Sequence, residues 1–489
     1  MGHASQCNQA RPACSRCTRL GIPCIGSGQQ RFKFKDESKV LRENHGQQLS
    51  QRKPATSKPK SGSSLSFRTG PVLGAPSWPL SNGLTRTNGA IISVLEISDP
   101  RYDVFAFGPF IKDIPAQLGT HDALDASTEA LTSAIYCVQT RRVTPESLTK
   151  YARALKQVQH TLNGSATVYS EQTLCAIYFI MLCQAWITNE NHSFTGHGQA
   201  MAHLLNVIVS KNLHNSLNAG MLITMSISVL LESILNPTIR LRPWFFKLAE
   251  MHRPPAPVHS LDGVALTSLD LHQLILMRDI IRNPSQHVEQ MQTLYRLIKL
   301  ELPSLQRHIS ENVRPACAAP TDTLPVFLLR VQTRYFAAYS VLLSMALAIN
   351  GYLRAIDPCK HSLAKDLDMF YSEAVSHAEE MKDRRPLGAS HIPLLLISAS
   401  VAVNDDPPRE TALGAMLYQY ESDLTDLSWI SKSGLARRAY KRQCEKLARS
   451  VVKRHSSEPE VADKAADHIS AISINTEVEC EPDDACNFL

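Results

Sequence analysis

The sequence predicts a mainly α-helical protein, on three observations. Apolar residues recur every three or four positions from about residue 120 to 455. No alternating strand pattern of useful length accompanies them. Aromatic residues make up only 6% of the 489-residue chain, although 44% of it is hydrophobic. Barrels and sandwiches draw more heavily on aromatic and β-branched side chains, so that balance suits helices packed around an apolar core.

Four parts follow in order. Residues 1–27 form a small cysteine-rich module. Residues 28–94 read as a disordered basic linker, because Gln, Ser, Lys, Pro and Gly dominate without periodicity. Residues 95–455 form an all-α body. Residues 456–489 form an acidic tail that carries too few apolar residues to fold alone.

Within the body, Asp122–Gln139 aligns Leu124, Leu131, Ala134, Ile135 and Val138 on one stripe, with Ser127 filling the gap. Pro145 sits in the first turn of Glu146–Leu162, whose stripe is Leu148, Tyr151, Leu155 and Val158. Ser170 and Glu171 suit the start of Leu174–Ile187. Pro325–Asn350 has proline at its beginning and Gly351 beyond its end, the expected stop. Further helices fit 195–210, 217–235, 264–282, 287–300, 361–383 and 409–430. The last, Leu435–Arg454, carries an apolar stripe of Tyr440, Cys444, Leu447 and Val451, and Lys and Arg cover most of the rest. Such a helix docks its stripe on the body and leaves a basic face that suits nuclear import or a nucleic acid.

The net charge of +6 is unevenly spread. Residues 1–60 hold twelve Lys/Arg against three Asp/Glu, a net +9, whereas 456–489 hold one Lys against nine Asp/Glu, a net −8. The head suits polyanions, and the tail suits basic or apolar protein surfaces. The opening Met-Gly-His-Ala-Ser-Gln lacks the apolar core of a secretory signal, and Gln6 stands where myristoylation requires Ser or Thr. Leu174–Ile187 and Leu222–Leu235 fall short of the ~20 residues a bilayer span needs, so no membrane partner is expected. Without secretion, Asn163-Gly-Ser165 is not a glycosylation site, and disulfides are not expected. Neither His-Glu-x-x-His, Gly-x-Ser-x-Gly nor a phosphate loop occurs, so no enzyme activity is expected. His197 and His203 read as packed, hydrogen-bonded helix residues, His121 and Asp122 are adjacent without a catalytic partner, and the cysteines outside the module read mostly as small buried side chains.

The strongest motif is Cys7-x6-Cys14-x2-Cys17-x6-Cys24. Four thiolates this close suit a soft tetrahedral ion such as zinc. The stretch Cys-Asn-Gln-Ala-Arg-Pro-Ala-Cys-Ser-Arg-Cys-Thr-Arg-Leu-Gly-Ile-Pro-Cys resembles the second part of the fungal Zn(2)-Cys(6) binuclear zinc cluster. Cys7, Cys14, Cys17 and Cys24 match that pattern's third to sixth cysteines, Pro12 matches its loop proline, and Asn8 stands in place of its usual Asp. The first two cysteines would fall before Met1, so the resemblance implies a cluster truncated at its N-terminus. One zinc ion is expected on the four thiolates, and two only if the missing cysteines exist. The family's base-reading segment matches Met1–Gln6, which carries no Lys or Arg. Arg11, Arg16 and Arg19 would then contact DNA phosphates, which give affinity without sequence choice.

Ser170–Ile187 followed by Phe194-Thr-Gly-His-Gly-Gln-Ala-Met-Ala-His-Leu-Leu is similar to a pattern in the same factors' regulatory region. The resemblance implies a nuclear regulator of RNA polymerase II genes, possessing an all-α regulatory domain over 95–455. Such a body forms homo- or heterodimers, and the acidic tail reaches co-activators. Two readings stay open: a DNA-binding factor whose start lies upstream, or an accessory regulator working through protein partners. A helical effector-binding protein or enzyme is a third.

Overall fold

The computed structural model describes residues 82–457, except 165–166, 189–195, 237, 242, 252–265, 318–323, 404–405 and 425–427. The cysteine module, most of the linker and all but the first two residues of the acidic tail lie outside the described residues. Within them the chain is all-helical: 82% is helix and no strand occurs.

Fourteen α-helices of eight residues or more carry the described fold, with short 3-10 turns between several of them. The first is α1, Gly83–Leu95, so the helical body begins inside the span read as linker over 28–94. Asn82 caps it by accepting the Thr85 amide, and Thr87 and Ile91 are buried against the next helix. That helix, α2 (Asp122–Thr140), buries the whole predicted stripe together with Ser127. It ends on Arg141 in the left-handed conformation. α3 (Pro145–Asn163) opens on a reciprocal cap between Thr144 and Ser147. α4 (Glu171–Ile187) starts at the Ser170 cap and is apolar on nearly every side. It must therefore be covered all round, and α2, α3 and α5 (Gly196–Ser210) do this. α6 (Ala219–Leu235) and α7 (Trp244–Met251) both pack on α5 and close this first half.

α8 (Leu271–Arg282) joins the two halves. Its Ile275 belongs to the first apolar core, and its Met277 and Ile280 belong to the second. α9 runs over Val288–His308, past the expected end at residue 300 and through Pro303. Proline removes only one backbone donor, and the buried series Met291, Leu294, Ile298, Leu302, Leu305 and Ile309 carries the helix onward. A π turn at Ile309–Val313 and one further turn, Arg314–Ala316, extend it.

The second half is built on α10, Val326–Ile356. This helix continues through Gly351, where the sequence predicted a stop. A Cβ at Gly351 would sit 2.3 Å from the Tyr440 hydroxyl, so glycine is there for close helix approach. α10 is long and apolar enough to cross a membrane by length and composition, but 83% of its most apolar window is buried in protein. It is covered by α9, α11 (His361–Glu380), α12 (Ile392–Ala402) and α14 (Trp429–Ser457). α13 (Pro407–Glu421) lies against α12 and α14. The single helix expected over 409–430 is thus two helices, parted after Glu421.

One polar chain pins three helices of this half. Buried Asn350 donates to the Tyr295 hydroxyl and to the Leu363 carbonyl, each at 2.9 Å. Tyr295 donates to Asp366, which Lys299 approaches to 2.7 Å. Between the halves, Arg330 of α10 reaches Asp103 at 2.8 Å, and its guanidinium lies 3.4 Å from the Phe105 ring centroid. Asp103 also accepts the Phe105 amide, so one carboxylate holds both its own turn and the neighbouring half. Nearby, Leu387 donates its amide to the Arg101 carbonyl, and a Cβ at Gly388 would lie 2.3 Å from the Pro100 carbonyl oxygen.

Arg330→Ala removes a half-buried, charge-assisted pair and leaves Asp103 uncompensated. The unfolding free energy should fall by about 2 kcal/mol. Urea denaturation reads the loss, and an unchanged midpoint would remove Arg330 as the clasp.

Candidate functional site

The residues on which the sequence rests a metal and DNA site, Cys7, Cys14, Cys17 and Cys24 with Arg11, Arg16 and Arg19, all lie outside the described residues. Among those described, no group of three His, Cys, Asp or Glu side chains converges to hold a metal. Cys137, Cys175 and Cys183 are buried, Cys317 and Cys444 half-buried and Cys359 exposed, none of the six in a disulfide. Burial pushes the Cys175 and Cys183 thiols up, away from thiolate reactivity. His197 and His203 both lie on α5, the first half-buried and the second exposed. His121 begins α2, and its Nε2 lies 3.4 Å from the Thr173 hydroxyl of α4, a packing contact. Burial pushes its ring pKa down despite Asp122 and Asp125 nearby.

The candidate surface that the structure assembles is the outer face of α14. The inner face docks as the sequence predicts at Tyr440, Cys444 and Leu447, and the side chain of Val451 lies outside those described. Tyr440 stacks on Tyr352 of α10 with ring centroids 4.3 Å apart, and its hydroxyl donates to the Ala348 carbonyl. Leu447 is buried, Ser433 bonds Ser400 of α12, and Gln443 donates to the Arg282 carbonyl at 2.9 Å. Arg437, on the flank, pairs with Glu410 of α13. These contacts fix the helix in rotation. They leave Arg438, Lys441, Arg442, Lys446 and Arg449 exposed. At 3.6 residues per turn these five fall within an arc of about 140°, centred opposite the buried stripe, and span about 16 Å of axis.

Glu445 is the acid within that arc, and it reaches Arg449 only at 3.8 Å. Arg442 bonds the carbonyl of Arg438 in its own helix. Arg438, Lys441, Arg442 and Lys446 make no ion pair with any described residue. The result is an exposed row of cations along one helix face, the charge pattern that attracts polyanions.

A second cluster was not legible in the sequence. Arg314 makes a two-pronged pair with Glu380 at 2.9 and 2.7 Å, across 66 residues. His377 lies with Nδ1 3.7 Å from Glu380 and Nε2 2.9 Å from the Ser340 hydroxyl. Tyr339 and Gln306 both donate to Glu373. Together these groups line a cleft of about 310 Å³, solvent included. Although burial pushes the Glu380 carboxyl up, the nearby His377 ring and the hydrogen-bonded Arg314 guanidinium hold it down at about 2. The cleft's charged heads are satisfied by one another, so it acts as a lock between α9, α10 and α11. Behind it, His391 stacks on His377, and its Nε2 is buried without a partner. Burial, with His377 and Arg384 adding to it, lowers its pKa to about 3. No family model, curated protein or solved structure matches the chain.

Two outcomes follow from this geometry. Replacing Arg438, Lys441, Arg442 and Lys446 with Gln should make the chain elute from heparin at lower salt. The slope of log K against log salt should fall by about 0.9 for each phosphate-type interaction removed. Stability should move by less than about 0.5 kcal/mol, since all four heads lie in solvent. Acid should destabilise the fold early. The unfolded chain takes up the His391 proton near pH 6.5 and the folded chain near 3, so unfolding free energy falls as pH drops through that window. Glu380 adds a further loss as pH falls from 4.5 towards 2. Urea midpoints of His391→Leu should decline less steeply between pH 6.5 and 4.5. A slope equal to that of the parent would show that another group carries the effect.

Proposed function

We propose that the chain is a nuclear transcription regulator of the binuclear zinc-cluster class. The observation that carries this reading is the spacing Cys7-x6-Cys14-x2-Cys17-x6-Cys24. Four thiolates bind one zinc ion, and Arg11, Arg16 and Arg19 lie between them to meet DNA phosphates. The all-α body supports the reading as a regulatory scaffold, on which dimerisation or effector binding takes place. The acidic, sparsely apolar tail suits co-activator contact. Helical architecture alone fixes no activity, so the assignment rests on the cysteines and the order of the parts.

The purified chain should hold about one zinc ion, and Cys14→Ser should release it, because that thiolate is central to the ligand set. Helicity of the body should not change. Metal content equal to that of the parent would remove the module as a zinc site. A gel shift with the same protein separates two modes of action. A sequence-selective complex supports direct DNA binding, and salt-sensitive binding without selectivity supports an accessory regulator recruited by protein partners.

A further inference from the structure

The basic face of α14 and the acidic tail belong to one continuous stretch of chain. We propose that the acidic segment Glu477–Asp484 folds back onto Arg438, Lys441, Arg442 and Lys446, and competes there with external polyanions. Three observations carry this. The first is charge. Glu477, Glu479, Glu481, Asp483 and Asp484 put five carboxylates into eight residues, and no Lys or Arg occurs after Lys464. Against them stands an exposed row of five cations with Glu445 as its internal acid. The second is the state of those cations: Arg438, Lys441, Arg442 and Lys446 pair with no described acid, so a carboxylate arriving there displaces only water and counterions.

The third is reach. α14 runs to Ser457, so Lys446 and Arg438 lie about 17 and 29 Å back along its axis, at 1.5 Å per residue. Glu477 and Asp484 follow Ser457 by 20 and 27 residues. Fully extended, 20 residues span at most about 70 Å, more than either distance. The connecting length is therefore sufficient for the acidic segment to lie along the whole basic row. Tethering within reach makes the contact intramolecular, which raises the segment's effective concentration at this face. The rival target is the basic region 1–60, net +9, which has no comparable tether.

The contact is built from solvent-exposed pairs, so it weakens as salt rises and yields to a denser polyanion. It would make the basic face available only where a polyanion outcompetes the tail, or where a partner occupies the tail. The inference stands on the α14 face and the tail, and does not depend on zinc at the cysteines.

Zero-length carbodiimide cross-linking of the full chain tests it. At low salt, the monomer should yield amide bonds joining Lys441 or Lys446 to the Glu477–Asp484 segment, and these should vanish near 0.5 M salt. The order-of-magnitude salt range follows from a Debye length of about 3 to 10 Å between 1 and 0.1 M. Cross-links from the segment only to lysines before residue 61, only between two chains, or not at all would overturn the proposal. Affinity for a fluorescent heparin fragment gives a second reading. Neutralising the segment (E477Q, E479Q, E481Q, D483N, D484N) should tighten binding at least about threefold at low salt, by removing an intramolecular competitor. In a chain already carrying R438Q, K441Q, R442Q and K446Q, the same neutralisation should have no effect. An equal gain in both backgrounds would place the tail elsewhere and overturn the proposal.

Discussion

The structure depends on one constraint: α10 is a 31-residue helix that is apolar on most of its surface. Left in water it would expose Leu342, Leu343, Leu347 and Ile349, each of which gains about 2 kcal/mol from full burial. No single neighbour can cover such a helix, so α9, α11, α12 and α14 surround it. Polar groups on α10 then serve to choose among the ways of packing that cover. Asn350 selects the register of α9 and α11 through Tyr295 and Leu363, and Ser340 seats His377. Arg330, at its other end, holds the first half through Asp103. Apolar burial supplies most of the driving force, and the directional contacts supply uniqueness.

The orientation of the basic face is a consequence of that packing. α14 approaches α10 closely because Gly351 has no side chain, and Tyr440 fills the space against Tyr352. A tyrosine fixed at both its ring and its hydroxyl sets the helix's rotation. Every residue seven or so positions along is then committed to the inside or the outside. The charges therefore point outward because of an aromatic stack and an absent methyl group, neither of which is itself charged.

Legibility in the sequence followed amphipathicity. α2, α3 and α14 pair an apolar stripe with a polar remainder, and their stripes were read correctly to within a few residues. α12 was missed because Ile392–Ala402 is apolar on every side, which leaves no period to detect. α7 is only eight residues long, and α1 lies at the edge of a polar stretch. The misplaced stop at Gly351 has a different cause. Local chemistry favours an ending there, but Tyr440, 89 residues away, explains the glycine. The same limit applies to the site. The basic face was visible because one helix carries all of it, whereas Arg314, Glu380 and His391 come together from separate elements and have no local signal.

The π turn at Ile309–Val313 gives the chain an unequal tolerance of changes in length. Such a turn is commonly an α-helix that has absorbed one additional residue. Everything beyond it is rotated by about 100° relative to an uninterrupted helix. Arg314 meets Glu380 only with that rotation included. A codon lost within these five positions would remove the additional residue, restore ordinary helical geometry and leave Arg314 facing Glu380. A codon lost from an exposed connection elsewhere would shorten a loop and leave every such pairing intact. The same loss from the regular part of α9 would turn Arg314 by about 100° and part it from Glu380, so the irregular turn is where this helix can change length and keep that pair.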